Sequence, residues 1–446
     1  MSQREIPEWS WRPAWHRCRT ACALLVAMVL LPACHSRGRM LMSRPNLYAD
    51  SPAGPFAQVP PELRGNRIDV FYVTDRQPKP SADGTVQYTS DRSDSMAFGS
   101  CLVEIGNDLS WEKVVAQSLQ SPRLKPLFLS IERVEEHGRF PATPTPLVRG
   151  DAGLIDDPDW IARRDAVTEQ FRAEVGKRLA ATPRKEVFVF IHGYNNRLSD
   201  GAFVMAELWH FMGREGVPVI FSWPAGSAGL LLGYTHDRES GEFAVFHLKE
   251  FLRLLASCPE LEKIHILMHS RGTDVGLSAL RELIIETHGA GRDPRVALKF
   301  GRVVLAAPDL DLEVASQRVA AERVPLGVER MTVYVSHTDR MVGLAALLFT
   351  SARRVGQMTL QDMMPRRAVD PKAVPQVTIV EARVKTDWKG HSYFRTNPSA
   401  SSDVILTLRD GKRPGAENGR PLIEVDPSMN YWLLRDGYPA ANSGAR

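Results

Sequence analysis

Short runs of consecutive apolar residues alternate along the chain with longer segments of mixed character. Uninterrupted apolar runs are typical of strands buried on both faces of a parallel sheet. The segment from Asp159 to Ala181 has helical periodicity and precedes the first such run. From there strands and helices alternate, which predicts an α/β fold with a mostly parallel sheet and helices on both faces. The predicted strands of this core are Val187–Ile191, Lys263–Met268, Arg302–Ala307, Met331–Val335 and Gln376–Ala382.

The rest of the chain divides by composition. Ile68–Thr74 and Ala97–Ile105 look like strands separated by a polar loop, Lys79 to Ser95, and predict an N-terminal β extension of the sheet over residues 66–150. Residues 34–65 are rich in proline, glycine and polar side chains and are predicted to be a linker. The α/β core is assigned to residues 151–410. Residues 411–446 are turn-rich and are predicted to form a loosely packed tail.

Ser270 stands between a predicted strand and a predicted helix, in the segment Lys263 to Gly272. A strand, a sharp turn and a helix with serine at the turn predict a nucleophile elbow, in which the serine hydroxyl projects from the carboxyl end of a strand. The full elbow pattern is G-x-S-x-G, and Met268 occupies its first position, which weakens the match. The alternative interpretation is a serine that caps the N-terminus of a core helix.

A His-Gly pair follows the strand Val187–Ile191 directly and opens the turn His192 to Asn196. In serine hydrolases with an elbow, such a turn aims the next backbone amide at the nucleophile. The amides of Tyr194 and Arg271 are therefore the predicted oxyanion hole. His192 is expected to fix the turn and not to act as a base.

Asp339 and His391 follow Ser270 along the chain, each in a polar loop after a predicted strand. His391 is the histidine that follows the last core strand, and Asp339 lies in the turn after the preceding one. The order serine, aspartate, histidine is that of the α/β-hydrolase fold and differs from the chymotrypsin and subtilisin orders. These three residues are the predicted catalytic triad.

Other polar residues compete for roles at the same edge of the sheet. Asp309 and Asp311 also follow a predicted strand, so Asp309 remains the alternative triad acid. If Asp339 is the acid, Asp309 is expected to cap the helix that begins near Leu312. His269, beside the nucleophile, is expected to point to the other side of the elbow in a structural role.

Several segments of the chain together resemble those of a known family: Val70–Arg76, His192–Asn196, Phe221–Pro224, Tyr234, Asp237, Met268–Gly272, Ala307–Asp309 and Gly390–Tyr393. They resemble the α/β hydrolases known as domain of unknown function 900, over roughly residues 66 to 400. The resemblance implies a serine-hydrolase fold with Ser270, Asp339 and His391 as the triad, and it carries little information on the substrate.

The first residues of the chain have the pattern of an export signal. Arginines precede the apolar run Ala21 to Leu31, which is short for a membrane span. Leu31-Pro32-Ala33-Cys34 resembles a bacterial lipobox and predicts a signal peptide over residues 1–33 with lipidation of Cys34. His35 follows the cysteine in place of aspartate, which by resemblance to Gram-negative sorting rules predicts the outer membrane. The alternatives are a plain signal peptide and an N-terminal anchor helix.

Composition limits the remaining possibilities. At 446 residues, with 43% apolar and 24% charged residues, the chain can bury a large core. The net charge of +4 is small and the basic residues are scattered, so no nucleic-acid partner is predicted. Without a C-x-x-C pair or a histidine cluster of metal-ligand spacing, no metal or other cofactor is predicted. Cys101 and Cys258 could form a disulfide in an oxidising compartment, although two buried thiols are the favoured interpretation.

Two functional classes follow from these patterns. The first is a serine hydrolase acting on ester bonds, with lipid esters and other acyl compounds as candidate substrates and a lipid anchor as the link to a membrane. The second is a non-catalytic envelope lipoprotein with a binding or structural role. The ordered triad favours the first class, and Met268 is the main argument for the second.

Overall fold

The computed structural model describes residues 38–80, 85–226, 230–348, 353–363 and 376–440. The predicted signal peptide and Cys34 lie outside these residues. The strands are β1 (Arg39–Met40), β2 (Arg67–Pro80), β3 (Val86–Ile105), β4 (Phe128–Arg139), β5 (Leu147–Gly150), β6 (Gly153–Asp156), β7 (Glu186–Ile191), β8 (Val217–Ser222), β9 (Lys263–His269), β10 (Phe300–Ala306), β11 (Arg330–Val335), β12 (Val377–Arg383), β13 (Ile423–Asp426) and β14 (Tyr431–Arg435).

All of these strands except β5 and β6 form one 12-stranded sheet, in the order β1-β4-β3-β2-β8-β7-β9-β10-β11-β12-β14-β13. Every adjacent pair of strands between β2 and β14 in this order is parallel. Antiparallel pairs occur at the two ends, among β1, β4, β3 and β2, and between β14 and β13. The predicted α/β fold with an N-terminal β extension is confirmed.

Helices cover both faces of the sheet. Side chains along a strand point alternately to the two faces of the sheet, so a core forms on each face. In β7, Val187 and Val189 belong to one buried cluster, and Phe188 and Phe190 belong to the other. The helices are α1 (Trp111–Leu119), α2 (Pro158–Ala180), α3 (Leu198–Phe211), α4 (Leu230–Ala256), α5 (Gly272–Gly289), α6 (Pro294–Ala297), α7 (Leu312–Ala315), α8 (Arg340–Leu348), α9 (Leu360–Met363), α10 (Tyr393–Thr396) and α11 (Pro398–Leu408).

The N-terminal part differs from its prediction in two places. Residues 38–65 are not a free linker, because Leu41, Tyr48 and Phe56 are buried and the Tyr48 hydroxyl donates to the Phe211 carbonyl at 2.6 Å. These apolar residues are separated by prolines and glycines, so no periodicity marks them. The predicted polar loop is largely strand, because β2 and β3 continue as a two-stranded ribbon out to Pro80.

The C-terminal part is also more ordered than predicted. Residues 423–435 add β13 and β14 to the sheet, and Tyr431 and Leu434 in β14 are buried. Beyond the sheet, Tyr438 donates a hydrogen bond to the buried Asp403 of α11 at 2.6 Å. The prediction of a loosely packed tail is therefore wrong for residues up to 440. The apolar run Tyr431–Leu434 was consistent with a strand, but it is short and stands among turn-rich residues, so the pattern alone did not identify β14.

Cys101 and Cys258 are both free and buried, in agreement with the favoured interpretation. Burial raises the pKa of the Cys101 thiol to about 12 and that of Cys258 to about 11, so neither is a reactive thiolate near neutral pH. None of the helices in the described ranges has the length and apolar character needed to span a membrane.

Candidate active site

Ser270 lies in a strained turn between β9 and α5. Its φ of 54° is in the left-handed region, which costs a residue other than glycine about 1–3 kcal/mol. The surrounding backbone holds the turn, since the Ser270 N–H donates to the Ala306 carbonyl at 3.1 Å and its carbonyl accepts from the N–H groups of Thr273 at 3.0 Å and Asp309 at 3.2 Å. Arg271, and not Ser270, is the N-cap residue of α5. The alternative of a helix-capping serine is therefore not supported.

Met268, the departure from the elbow pattern, is completely buried in β9. It faces Gly276 of α5, where an added Cβ would lie 2.5 Å from Met268 Sδ. Gly272 is equally constrained, because a Cβ there would lie 2.3 Å from the His192 carbonyl oxygen. Gly276 on α5 thus leaves room for the Met268 side chain, so β9 does not need a small residue at position 268. The close strand-to-helix approach of the elbow is kept.

His391 and Asp339 come together beside this turn. His391 Nδ1 lies 2.7 Å from Asp339 Oδ2, with the carboxylate fully buried and the imidazole 15% exposed. The other carboxylate oxygen accepts from the backbone N–H groups of Met341 at 3.0 Å and Val342 at 3.1 Å, at the start of α8. Both oxygens therefore have donors, which fixes the carboxylate in one orientation relative to the imidazole.

The competing aspartates have other partners. Asp309 accepts from the Tyr234 hydroxyl at 2.7 Å and forms an ion pair with Arg354 at 3.2 Å. Asp311 caps α7 by accepting from two backbone N–H groups of that helix. The expectation that Asp309 is the cap is wrong, because Asp311 is the residue immediately before the first helical position. Of the three aspartates, Asp339 is the one hydrogen-bonded to His391.

The sequence predicts that His269 points to the other side of the elbow from the nucleophile. In the structure it lies next to His391 instead. The two ring centroids are 4.7 Å apart, and the Phe394 ring lies 4.8 Å from that of His269. The pKa of His269 lies well below its usual value, mainly because the ring is buried and secondly because a protonated His391 would repel a second positive charge. A neutral His269 therefore forms a wall against which the His391 ring packs, and it also links His391 to the elbow, since it precedes Ser270 in the chain.

The turn after β7 passes directly over the serine. A Cβ built on Gly193 would lie 2.7 Å from Ser270 Cβ and 3.3 Å from Ser270 Oγ. Tyr194 follows Gly193 on one side of the serine, and Arg271 follows the serine itself. Only a glycine permits this approach, which brings the two predicted oxyanion-hole segments into contact.

Arg76, at the end of the apolar part of β2, holds the same turn from behind. It is completely buried, and its guanidinium donates to the Asn196 carbonyl at 2.7 Å, the Ala225 carbonyl at 2.8 Å and Ser222 Oγ at 2.8 Å. Burial lowers the pKa of Arg76 to about 10, so the group is charged at neutral pH. The sequence pattern assigns no role to this residue, and the signal available was an arginine two positions after the predicted strand Ile68–Thr74.

His192 fixes the turn, as expected. Its ring stacks on Trp223 with centroids 5.3 Å apart, and its Nε2 lies 3.2 Å from the Arg76 guanidinium. Burial, followed by the Arg76 charge, lowers the pKa of His192 to about 3. The imidazole is therefore neutral at ordinary pH and serves as a hydrogen-bonding spacer.

Asp237 of α4 braces the turn from the other side, a second role that the sequence did not reveal. Its carboxylate accepts from the Asn195 N–H at 2.8 Å and from the Gly226 N–H at 3.1 Å. Asn195 has a φ of 53°, so this contact stabilises a strained residue beside the predicted oxyanion hole.

The residues that flank the serine in sequence and structure carry aromatic and charged side chains. The rings of Tyr194 and Tyr234 lie 5.2 Å apart, and the Arg271 side chain pairs with Asp274 at 2.8 Å. The described residues contain no group of three or more histidine, cysteine or acidic side chains that could hold a metal ion. The polar groups that the structure places around the turn are Ser270, His391, Asp339 and backbone amides.

The sheet order, the strained serine turn and the histidine–aspartate pair define an α/β hydrolase. The chain belongs to the family described as alpha/beta hydrolase of unknown function (DUF900), whose model matches residues 167–409, more than half of the chain. A comparison with curated proteins gives no match.

Proposed function

We propose that this protein is a serine hydrolase that cleaves ester bonds through Ser270, His391 and Asp339. His391 takes the Ser270 proton as Oγ attacks the carbonyl carbon, and Asp339 holds the imidazole in place. The amides of Tyr194 and Arg271 donate to the developing oxyanion. The alcohol leaves with the proton from His391, and a water molecule then hydrolyses the acyl-enzyme by the same steps.

The proposal is carried by the hydrogen bond between His391 and the fully buried Asp339. The His391 ring packs 4.7 Å from the ring of His269, the residue that precedes a serine held at a φ of 54°. A packing role alone gives no reason to bury a carboxylate under an imidazole, nor to store strain at Ser270. The non-catalytic alternative rested on Met268, and the fit of Met268 against Gly276 removes the steric objection to an active elbow.

The proposed mechanism and the aromatic residues near the serine support a substrate class. A triad with backbone oxyanion donors acts on carbonyl carbons with a leaving group, and the aromatic rings of Tyr194 and Tyr234 suit an acyl or aryl group near the serine. We therefore propose carboxylic esters, including lipid esters, as substrates.

Covalent labelling by a fluorophosphonate tests the nucleophile. Ser270→Ala is expected to abolish both labelling and hydrolysis of p-nitrophenyl butyrate while the circular dichroism spectrum stays unchanged. Ser278→Ala is the matched control, because Ser278 is a buried serine on α5 with no place in the triad, and it should label like the natural protein. Labelling that persists in Ser270→Ala would sink the assignment.

We further propose that the chain is attached to the bacterial envelope, at the outer membrane, by acyl chains on Cys34. The basic start, the apolar run and the Leu-Pro-Ala-Cys sequence support this proposal. Each buried methylene of an acyl chain contributes about 0.8 kcal/mol, so several chains hold a protein firmly on a bilayer. Cys34→Ser should lose incorporation of radiolabelled palmitate, whereas Cys22→Ser, within the same apolar run, should retain it. Undiminished incorporation in Cys34→Ser would exclude this cysteine as the anchor.

A further inference from the structure

Large apolar side chains are exposed where the chain enters the described fold. Met40 is 58% exposed, Leu124 89% and Phe128 47%. Met40 and Phe128 are paired directly across β1 and β4, so both project from the same outer face, while Leu127 and Leu129 on either side of Phe128 are buried. We call Met40, Leu124 and Phe128 the N-terminal patch.

The loop that carries Leu124 is fixed to the strand that carries Met40. Arg123 donates to the carbonyls of Leu41 at 2.7 Å and Met42 at 2.6 Å, and to that of Gln117 at 3.0 Å. Burial lowers the pKa of Arg123 to about 10, so it is charged at neutral pH and these bonds are charge-assisted. The hydrogen bonds of Arg123 therefore fix the adjacent Leu124 close to β1.

The chemistry around the patch combines apolar and basic groups. Lys125 follows Leu124 and is exposed, so an ammonium group stands beside the most exposed leucine. Apolar side chains flanked by cations are typical of surfaces that enter the boundary between lipid headgroups and acyl chains.

The first residue that the structure describes, Gly38, lies against this surface. A Cβ on Gly38 would lie 2.1 Å from the Leu129 carbonyl oxygen, so the backbone at Gly38 runs in close contact with β4 next to Phe128. Cys34 precedes Gly38 by four residues, which span at most about 14 Å when fully extended. Acyl chains on Cys34 would therefore place a bilayer within about 14 Å of the patch.

We infer that the N-terminal patch is a membrane-docking surface, with Met40, Leu124 and Phe128 against the lipid and Lys125 at the headgroups. This inference rests on the proposed lipidation of Cys34 and not on the proposed reaction. It also predicts an orientation, because β4 runs from Phe128 to Arg139, 11 residues or about 36 Å further on, before the chain reaches the hairpin of β5 and β6. Leu154 of that hairpin is 73% exposed and should face water.

Fluorescence quenching on the full acylated chain tests the inference. Leu124→Cys and Leu154→Cys are each labelled with a thiol-reactive fluorophore, which Cys101 and Cys258 should not take because both are buried. The proteins are placed in phosphatidylethanolamine vesicles containing phosphatidylglycerol, with palmitate incorporation measured first on the same preparation. The probe at position 124 is expected to be quenched by nitroxide-labelled lipids and to be about fivefold less sensitive to aqueous iodide than the probe at 154.

Each other outcome overturns the inference. Equal iodide sensitivity at the two positions means that the patch faces water. Shielding from iodide without quenching by the lipid nitroxides means that a second copy or the N-terminal segment covers it. Absence of palmitate removes the premise. A probe at Phe128→Cys gives a second measurement at the same surface. Neither quenching measurement depends on ester hydrolysis, so a failure of the docking inference can be distinguished from a failure of the proposed reaction.

Discussion

Replacing Asp339 by asparagine tests the triad with a change of one atom. Asparagine can keep its carbonyl oxygen on the N–H groups of Met341 and Val342, and it then presents its amide N–H₂ to His391 Nδ1. The reversed orientation would preserve the bond to His391 but would set an N–H₂ group against two backbone donors. The first orientation retains one more hydrogen bond, worth about 0.5–1.5 kcal/mol, and avoids the donor–donor contact.

The favoured orientation forces the imidazole proton onto Nε2, so His391 cannot accept the Ser270 proton. By analogy with other serine triads, kcat should fall by about a thousandfold to ten-thousandfold. Stability should change little, because the helix cap survives and the lost charge at the start of α8 is worth about 0.3–1 kcal/mol. The assay is p-nitrophenyl butyrate hydrolysis, together with the rate of fluorophosphonate labelling and urea denaturation.

Asp309→Asn is the matched control. It weakens the contacts with Tyr234 and Arg354 but leaves the His391–Asp339 hydrogen bond in place, so kcat should stay within about tenfold of the natural value. If Asp309→Asn loses activity while Asp339→Asn keeps it, the reasoning from the His391 contact is refuted.

Further predictions concern the groups that shape the site. Arg76→Lys should lower kcat and slow labelling, because the single ammonium nitrogen of lysine cannot reach all three groups that Arg76 holds through Nε, Nη1 and Nη2, namely Ser222 Oγ and the carbonyls of Ala225 and Asn196. Arg67→Lys, an exposed position on the same strand, should change neither. Unaltered labelling in Arg76→Lys would exclude a positioning role. Gly276→Ala should destabilise the fold by about 1–3 kcal/mol through crowding of Met268, and Met268→Ala in the same chain should recover part of the loss, measured as a coupling free energy by urea denaturation. If the two substitutions change the free energy of unfolding additively, position 276 and Met268 do not compete for space. His192 has a folded pKa of about 3, below its unfolded value near 6.5, so the unfolded chain takes up its proton first and the stability contributed by neutral His192 is lost as pH falls through this window. His192→Gln should therefore reduce the slope of unfolding free energy against pH by up to about 1.4 kcal/mol per pH unit, and an unchanged slope would contradict the assignment.

The parallel core could be predicted from the sequence because its strands are buried on both faces. Val187–Ile191 and Arg302–Ala307 were expected as strands and correspond to β7 and β10 within two residues at each end. Tyr48 and Phe56 are buried as well, but they stand in a segment without a strand or helix period. Single apolar residues among prolines and glycines carry no signal about what they will contact, so residues 38–65 were assigned wrongly. In residues 411–440 the run Tyr431–Leu434 was consistent with a strand, but the turn-rich residues around it led to the wrong assignment.

The sequence by itself determined the fold class and the order of Ser270, Asp339 and His391, since both follow from local patterns: buried runs for the strands, and polar residues where those strands end. The tertiary structure alone decided which aspartate meets His391, because Asp309, Asp311 and Asp339 all follow core strands and differ only in the partners that the loops bring to them. It also decided the contacts of Arg76 and Asp237 with the turn His192–Asn196, which join residues far apart in the chain. Such contacts depend on the packing of several elements at once, which no local pattern encodes.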